Sequence, residues 1–198
     1  MDTELIFRII LSAIVIAIFV IRGYYQRRFF VERNKATLLE SKLNMTVRAV
    51  GGVVGVMALL VYLVAPHWMA WSALPLPDWL RWVGAGMGIV SIPLLLWVHP
   101  ALGRNFSSTL HLREGHTLVT TGPYRWVRHP MYSVFYVMMT SFFLISANWF
   151  IGLLFIGGVT AVLISRVGRE EATMIEQFGD EYRAYMQRTG RFLPRLTR

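Results

Sequence analysis

The chain has 198 residues, of which 55% are hydrophobic and 16% charged, and its formal net charge is +9. This composition is too apolar for an ordinary soluble domain, and the length suits one domain. The absence of cysteine excludes disulfides, thiolate metal sites and cysteine nucleophiles. The positive charge does not require a nucleic acid as partner, because membrane proteins concentrate lysine and arginine in cytoplasmic loops. We therefore expect an integral membrane protein that binds no nucleic acid.

Three apolar segments in the first half of the chain are long enough to cross a bilayer, which takes about 17–25 residues. They are residues 5–21, 49–65 and 82–98. Pro66 ends the second segment, because proline cannot continue the helical hydrogen bonds, and Pro93 is expected to kink the third. The chain starts without a basic region or cleavage site, so the first segment is predicted to be a retained helix and not a signal peptide. The loop 67–81, with three tryptophans, is predicted to lie at the membrane interface.

Residues 131–165 form one uncharged run of 35 residues. As a single helix it would be about 52 Å long, against a hydrocarbon core of about 30 Å. It must therefore fold back, and 146–149 is the plausible turn between a fourth and a fifth span. The tail 166–198 is amphipathic, and Gly179-Asp180 is predicted to divide it, glycine ending one helical piece and aspartate capping the next.

Three segments hold 18 of the 20 lysines and arginines: residues 22–48, 99–129 and 166–198. Five spans place all three on one side of the membrane, which the positive-inside rule assigns to the cytoplasm. The predicted fold is thus an all-α integral membrane protein with about five transmembrane helices. The last two form a helical hairpin, followed by a cytoplasmic amphipathic C-terminal helix.

Glycines recur inside the predicted spans, most closely as Gly84-x-Gly86-x-Gly88. This series could be mistaken for a nucleotide-binding loop. Because it lies within an apolar helix, we interpret it as a surface of small residues that allows neighbouring helices to approach closely.

The first candidate for chemistry is the run Arg128-His129-Pro130-Met131-Tyr132. Proline favours the first helical position, so the fourth span is predicted to begin at Pro130. The unpaired N–H groups of its first turn would attract a carboxylate, with His129 and Tyr132 as neighbouring donors. The alternative is a simple helix start with an interfacial tyrosine and a snorkelling arginine.

The second candidate is Arg166 with Glu170 and Glu171, at the point where the fifth span leaves the apolar layer. Residues four apart share a helix face, so Arg166 and Glu170 are predicted to interact. The alternative is an ordinary surface ion pair of small energetic value.

Four histidines, His99, His111, His116 and His129, fall on the predicted cytoplasmic side. No two of them have the spacing of helical metal ligands, and acidic partners nearby are few. We expect no metal site.

Taken in order, the motifs of the second half resemble the isoprenylcysteine carboxyl methyltransferase family, within a wider group that includes phospholipid methyltransferases. The resemblance covers about residues 99–195 and is absent from the first two spans, which match only as apolar helices. The motifs that carry it are His116-Thr117-Leu118-Val119, Gly122-Pro123-Tyr124, Arg128-His129-Pro130-Met131-Tyr132, Arg166-x-x-x-Glu170-Glu171 and Phe178-Gly179-Asp180-Glu181-Tyr182.

The resemblance implies S-adenosyl-L-methionine as cofactor, bound at the cytoplasmic face. The family's cofactor contacts fall on His116, Thr117, Leu118, Val119, Tyr124, His129, Pro130, Met131, Tyr132 and Glu170. Its substrate-contacting arginine falls on Arg166. A glutamine of the preceding loop falls nearest His111, in an alignment that needs a gap. The length predicts one membrane domain, 1–198. Its first two spans are predicted to form an N-terminal two-helix hairpin, 1–66, and the resemblance implies a catalytic region, 79–198.

The predicted function is methyl transfer to a lipophilic acceptor that enters from the bilayer, namely the carboxylate of a prenylated cysteine or an analogue. The first alternative is N-methylation of an amine phospholipid, which would need a base and not an arginine. The second is an NADPH-dependent membrane sterol reductase, and the last a non-catalytic scaffold or transporter. The oligomeric state stays open, with a monomer as the simplest expectation.

Overall fold

A computed structural model describes residues 2–30, 37–38, 42–102, 111–112 and 117–195. Within these segments six α-helices follow one another: α1 Thr3–Phe30, α2 Lys42–Val64, α3 Asp78–Leu102, α4 Pro130–Ser146, α5 Trp149–Gly152 and α6 Gly158–Arg188. Pro66–Ser72 and Gly122–Arg125 are 3-10 helices, and Leu153–Gly157 is a π-helical turn. Strands β1 Thr37–Leu38 and β2 His111–Leu112 form a short antiparallel pair. Apart from that pair, the predicted helical architecture is confirmed.

Three helices of the described chain are long and apolar enough to cross a membrane: Thr3–Arg27, Asp78–Ala101 and Trp149–Arg188. A fourth span exists if Arg48–Val64 and Pro66–Ser72, bent by 115° from each other, count as one. Helix α4 is apolar but shorter, at 17 residues. The chain is therefore an integral multi-pass membrane protein, and the count of five spans stays a prediction.

The structure corrects the predicted loop 67–81. A 3-10 helix occupies Pro66–Ser72, and α3 already starts at Asp78. The prediction failed at Arg81, because its charge suggested a loop. The Arg81 side chain is instead buried, in the first turn of α3. Its guanidinium donates to the carbonyl of Ile145 at 2.8 and 3.0 Å and pairs with Glu4 at 2.8 Å. An arginine with such partners can lie inside a helix bundle.

The predicted turn between the last two apolar helices is confirmed at Ala147 and Asn148. Ala147 adopts a left-handed conformation with φ of 46°. The side-chain oxygen of Asn148 accepts a hydrogen bond from the amide of Ile151 at 3.1 Å and so caps α5. Its amide nitrogen donates to the hydroxyl of Ser72 at 2.8 Å. This turn is therefore held against the 3-10 helix after α2.

The fifth predicted span continues into the polar tail without a break at Ser165. Helix α5, the π-helical turn and α6 run on as one helix of 40 residues. One glycine, Gly168, lies between Ser165 and Gly179, and a single glycine costs a helix only about 1 kcal/mol. The interruption predicted at Gly179 is confirmed, since φ of 53° and ψ of −124° there are not helical.

The core lies where α1, α3 and α4 meet, and its fully buried side chains include Phe7, Leu11, Leu95 and Ile145. Close helix contact at the predicted glycines is confirmed at two of three positions. A Cβ on Gly84 would lie 2.6 Å from Cβ of Leu144, and one on Gly88 would lie 2.5 Å from the hydroxyl of Ser141. Gly86 has nothing within 4 Å.

Replacement of Gly84 by alanine should destabilise the protein by about 1–3 kcal/mol, the usual effect of overpacking a tight contact. Gly86→Ala is the matched control, because it makes the same change two residues away in open space, where alanine favours the helix. Thermal unfolding in detergent measures both. Equal melting temperatures for the two variants would contradict the packing of α3 on α4.

Candidate active site

The site is built where α4 begins and where α6 passes it. Pro130 occupies the first position of α4, as predicted, and His129 is the residue before it. The preceding 3-10 helix, Gly122–Arg125, starts with Gly122 at φ of 59°, a conformation that favours glycine. This short helix and Pro130 set the direction from which His129 enters the bundle.

Glu170 of α6 is the centre of the predicted constellation. Its Oε1 accepts a hydrogen bond from the Tyr132 hydroxyl at 2.9 Å and pairs with Nη2 of Arg166 at 3.1 Å. Within the described part of the chain, Oε2 has one polar neighbour, Nδ1 of His129 at 3.6 Å. The Glu170 side chain is 21% exposed. The structure therefore brings together His129, Tyr132, Arg166 and Glu170, and one carboxylate oxygen keeps room for a further donor.

Glu171 turns to the other side of His129 and is almost fully buried. Its Oε1 accepts hydrogen bonds from Nε of Arg128 at 3.0 Å and Nε of Arg191 at 3.2 Å. Nε2 of His129 lies 3.3 Å from the same oxygen. Nη2 of Arg191 pairs with Oε2. This hydrogen bonding raises the pKa of Arg191 above its ordinary value.

Residues 189–193, here termed the C-terminal segment, lie across the start of α4. The amide of Arg128 donates to the carbonyl of Gly190 at 2.9 Å, and the amide of His129 to that of Arg191 at 3.0 Å. The hydroxyl of Ser133 donates to the carbonyl of Phe192 at 2.6 Å. Sequence reasoning missed this segment, because nothing in its composition indicates that it returns to α4.

The expectation that the first-turn N–H groups of α4 are unpaired needs correction. The amide of Tyr132 donates to the carbonyl of His129 at 3.1 Å, and the amide of His129 is taken by the C-terminal segment. Pro130 has no N–H. The backbone of this turn therefore offers fewer N–H donors to an anion than the sequence suggested. The hydrogen-bonding groups of the site are mainly side chains.

The remaining predicted contacts pack beside this cluster or lie outside the described residues. Tyr124 is buried, and Val119 and Met131 pack against the same apolar core. Leu118 is partly buried and Thr117 is exposed. His116 and the side chain of His111 lie outside the described residues.

A hydrogen bond from α6 fixes the backbone of Tyr124. Its carbonyl accepts a hydrogen bond from the hydroxyl of Tyr185 at 2.6 Å. Burial raises the pKa of Tyr124 well above its ordinary value, so its hydroxyl stays neutral.

An open cavity of about 430 Å³ lies beside this part of α6. It is lined by Thr120, Arg125, Tyr185, Arg188 and Thr189.

Helix α1 also reaches this end of the bundle. The guanidinium of Arg22 lies 4.9 Å from the ring centroid of Phe135, one turn along α4 from Tyr132. The ring of Tyr25 stacks on His99 with centroids 4.9 Å apart. His99 is fully buried, and no contact joins it to His129 within the described residues, so these two members of the histidine set do not meet.

Comparison with known proteins points to one family. Residues 84–176, a little under half of the chain, match the model of the isoprenylcysteine carboxyl methyltransferase family. This region of the chain is therefore similar to that family. The match contains His129, Tyr132, Arg166, Glu170 and Glu171, and stops before the C-terminal segment.

Individual relatives agree with the family. The chain is 30% identical over 126 residues to a protein-S-isoprenylcysteine O-methyltransferase of Rattus norvegicus, covering 63% of this chain and 44% of that protein. It is 37% identical over 71 residues to methanethiol S-methyltransferase 1 of Bradyrhizobium diazoefficiens, covering 36% of this chain and 24% of that protein. The chain thus spans less than half the length of the curated relatives that it matches.

A solved structure shares the fold. It is described as the eukaryotic intramembrane Ras methyltransferase of the isoprenylcysteine carboxyl methyltransferase type. The TM-score is 0.60 at 20% identity, over 93% of this chain and 66% of that one. The likeness in fold therefore extends to helices α1 and α2, which lie outside the matched region 84–176.

Gly190→Ala should release the C-terminal segment, because a Cβ at this position would overlap the carbonyl oxygen of Leu193. Trypsin should then cleave after Arg191 several-fold faster than in the wild type. Gly168→Ala, on an open face of α6 with nothing within 4 Å, is the control. Unchanged cleavage in Gly190→Ala would refute the described turn.

Proposed function

We propose that this chain is an S-adenosyl-L-methionine-dependent methyltransferase whose acceptor is the carboxylate of a prenylated cysteine or an analogue. The observation that carries the proposal is the convergence of His129, Tyr132, Arg166 and Glu170 within the family-matched region. The relatives named for isoprenylcysteine O-methylation support the acceptor class.

The site fits such a cofactor by its donors and acceptors. When bound, the cofactor supplies an electrophilic methyl group on a sulfonium. Oε2 of Glu170 can accept from an ammonium or a ribose hydroxyl. Nδ1 of His129, which lies 3.6 Å from Glu170 and is not hydrogen-bonded to it, can meet the amino-acid carboxylate. Val119, Met131 and the buried Tyr124 offer an apolar wall beside them. His116, Thr117, Leu118 and Pro130 complete the proposed set of cofactor contacts.

The reaction then depends on alignment more than on proton transfer. An α-carboxyl group has a pKa of about 3.3–3.7 and is already ionised at pH 7, so no general base is needed. Arg166, buried beside Glu170, is the proposed residue that holds the acceptor carboxylate through a bidentate fork. Exclusion of water from both groups would lower the barrier further.

The proposed arrangement in the membrane follows the charge pattern. We place the site and the C-terminal part of α6 at the cytoplasmic face, with five spans when α2 and α4 are included. The whole chain acts as one membrane domain, in which 79–198 is the catalytic region. The acceptor's lipid tail reaches the site from the bilayer.

A second candidate acceptor is a small thiol. The similarity to methanethiol S-methyltransferase 1 over 71 residues favours it. Transfer from labelled cofactor to a prenylcysteine analogue, to methanethiol and to an amine phospholipid, offered separately to the purified protein, distinguishes the acceptors. Label in the prenylcysteine ester supports the first proposal, and label in only the thiol or the amine would replace it.

Purified wild-type protein should bind S-adenosyl-L-methionine in isothermal titration. Glu170→Ala and His129→Ala should each weaken binding by about 10-fold or more, the effect of losing a charge-assisted hydrogen bond. Glu176→Ala, an exposed glutamate on the same helix, should bind like the wild type. Lack of binding by the intact wild type would rule out the cofactor.

Arg166→Ala should lose turnover while it keeps much of the cofactor affinity, because the arginine is assigned to the acceptor. Single-turnover rates and titration on the same preparation separate the two effects. Equal losses in rate and in cofactor affinity would instead assign Arg166 to the cofactor, through its contact with Glu170.

A further inference from the structure

Two neighbouring glutamates of α6 meet the same histidine from opposite sides. Successive helical residues point about 100° apart, so Glu170 faces Tyr132 and Arg166 while Glu171 faces Arg128 and Arg191. The imidazole of His129 lies between them, with Nδ1 3.6 Å from Glu170 and Nε2 3.3 Å from Glu171.

The two carboxylates differ in what they can still accept. A carboxylate has about four acceptor positions. Glu171 meets four nitrogen atoms, which belong to Arg128, His129 and Arg191. Its side chain is 5% exposed, against 21% for Glu170. Three of these nitrogen atoms contact Oε1 and one contacts Oε2, and at 5% exposure the carboxylate is covered by these protein partners. Glu171 therefore acts through its protein partners and not by direct contact with a ligand.

The partners of Glu171 link His129 to the end of α6 and to the C-terminal segment. Arg128, held by Glu171, also donates to the carbonyls of Met186 at 3.1 Å and Thr189 at 2.6 Å, which end α6. The C-terminal segment accepts the amide of His129, and the ring of Phe192 lies 5.9 Å from the imidazole. Glu171 thus joins the end of α6, the C-terminal segment and the start of α4 at one buried point.

We propose that Glu171 is a positioning residue, which orients the imidazole of His129 toward the cofactor site and holds the C-terminal segment over the start of α4. This inference rests on the proposed function, because it assigns His129 to the cofactor. It adds a role for Glu171 and Arg191, and it makes residues 189–193, which lie beyond the matched region, a part of the site.

The test measures cofactor affinity in a double-mutant cycle. Glu171→Gln keeps the size of the side chain but removes its charge, and should weaken binding of S-adenosyl-L-methionine about 10-fold. In the His129→Ala background the same change should have little further effect, because its target is gone. Glu176→Gln makes the identical change at an exposed position of α6 and should leave affinity unchanged.

A purely structural role would give a different result. The losses in affinity from Glu171→Gln and His129→Ala would then add. Additive losses, or wild-type affinity in Glu171→Gln, would overturn the inference while leaving the proposed function intact. A wild-type protein that does not bind the cofactor would overturn both.

Arg191→Gln provides a second variant that does not disturb the core, because the Arg191 side chain is 49% exposed. It should weaken cofactor binding several-fold and speed tryptic cleavage after Arg195. In the wild type, the cofactor should slow that cleavage. Affinity and cleavage both equal to the wild type would contradict the assignment of the C-terminal segment to the site.

Discussion

The structure depends on the placement of one imidazole between two carboxylates. Glu170 and Glu171 are neighbours on α6, and His129 stands between them at the start of α4. A carboxylate removed from water is stable only when it is paired and hydrogen-bonded. Each glutamate therefore fixes the position of the helix or segment that supplies its partners. This constraint brings residues about forty positions apart into one site.

A second ionic cluster, partly buried, holds the other end of the bundle. Arg81 of α3 pairs with Glu4 of α1 at 2.8 Å and donates to the carbonyl of Ile145 in α4. The hydroxyl of Tyr62 in α2 donates to Glu4 at 2.6 Å. Apolar contacts alone are weakly selective between helices in lipid. Polar clusters at both ends therefore specify how the helices align, and the tight glycine contacts of α3 lie between them.

The proposed methyl transfer suits this arrangement of helices. Methyl transfer to an ionised carboxylate needs orientation and removal of water, and no proton transfer. A site formed by rigid helix ends, with Arg166 and Glu170 one turn apart and Tyr132 opposite, meets those needs. A site that lies beside the bilayer would also give the proposed lipid-linked acceptor direct access.

The sequence by itself determined the helical membrane class, the turn at Ala147–Asn148, the break at Gly179, the start of α4 at Pro130 and the Arg166–Glu170 pair. Each rests on local rules of hydrophobic length, proline and glycine geometry, or helical spacing. Only the tertiary structure decided the burial of Arg81 and the return of the C-terminal segment to Glu171. These depend on partners far along the chain, whose pairing leaves no local signal because a buried charge looks the same in sequence as an exposed one.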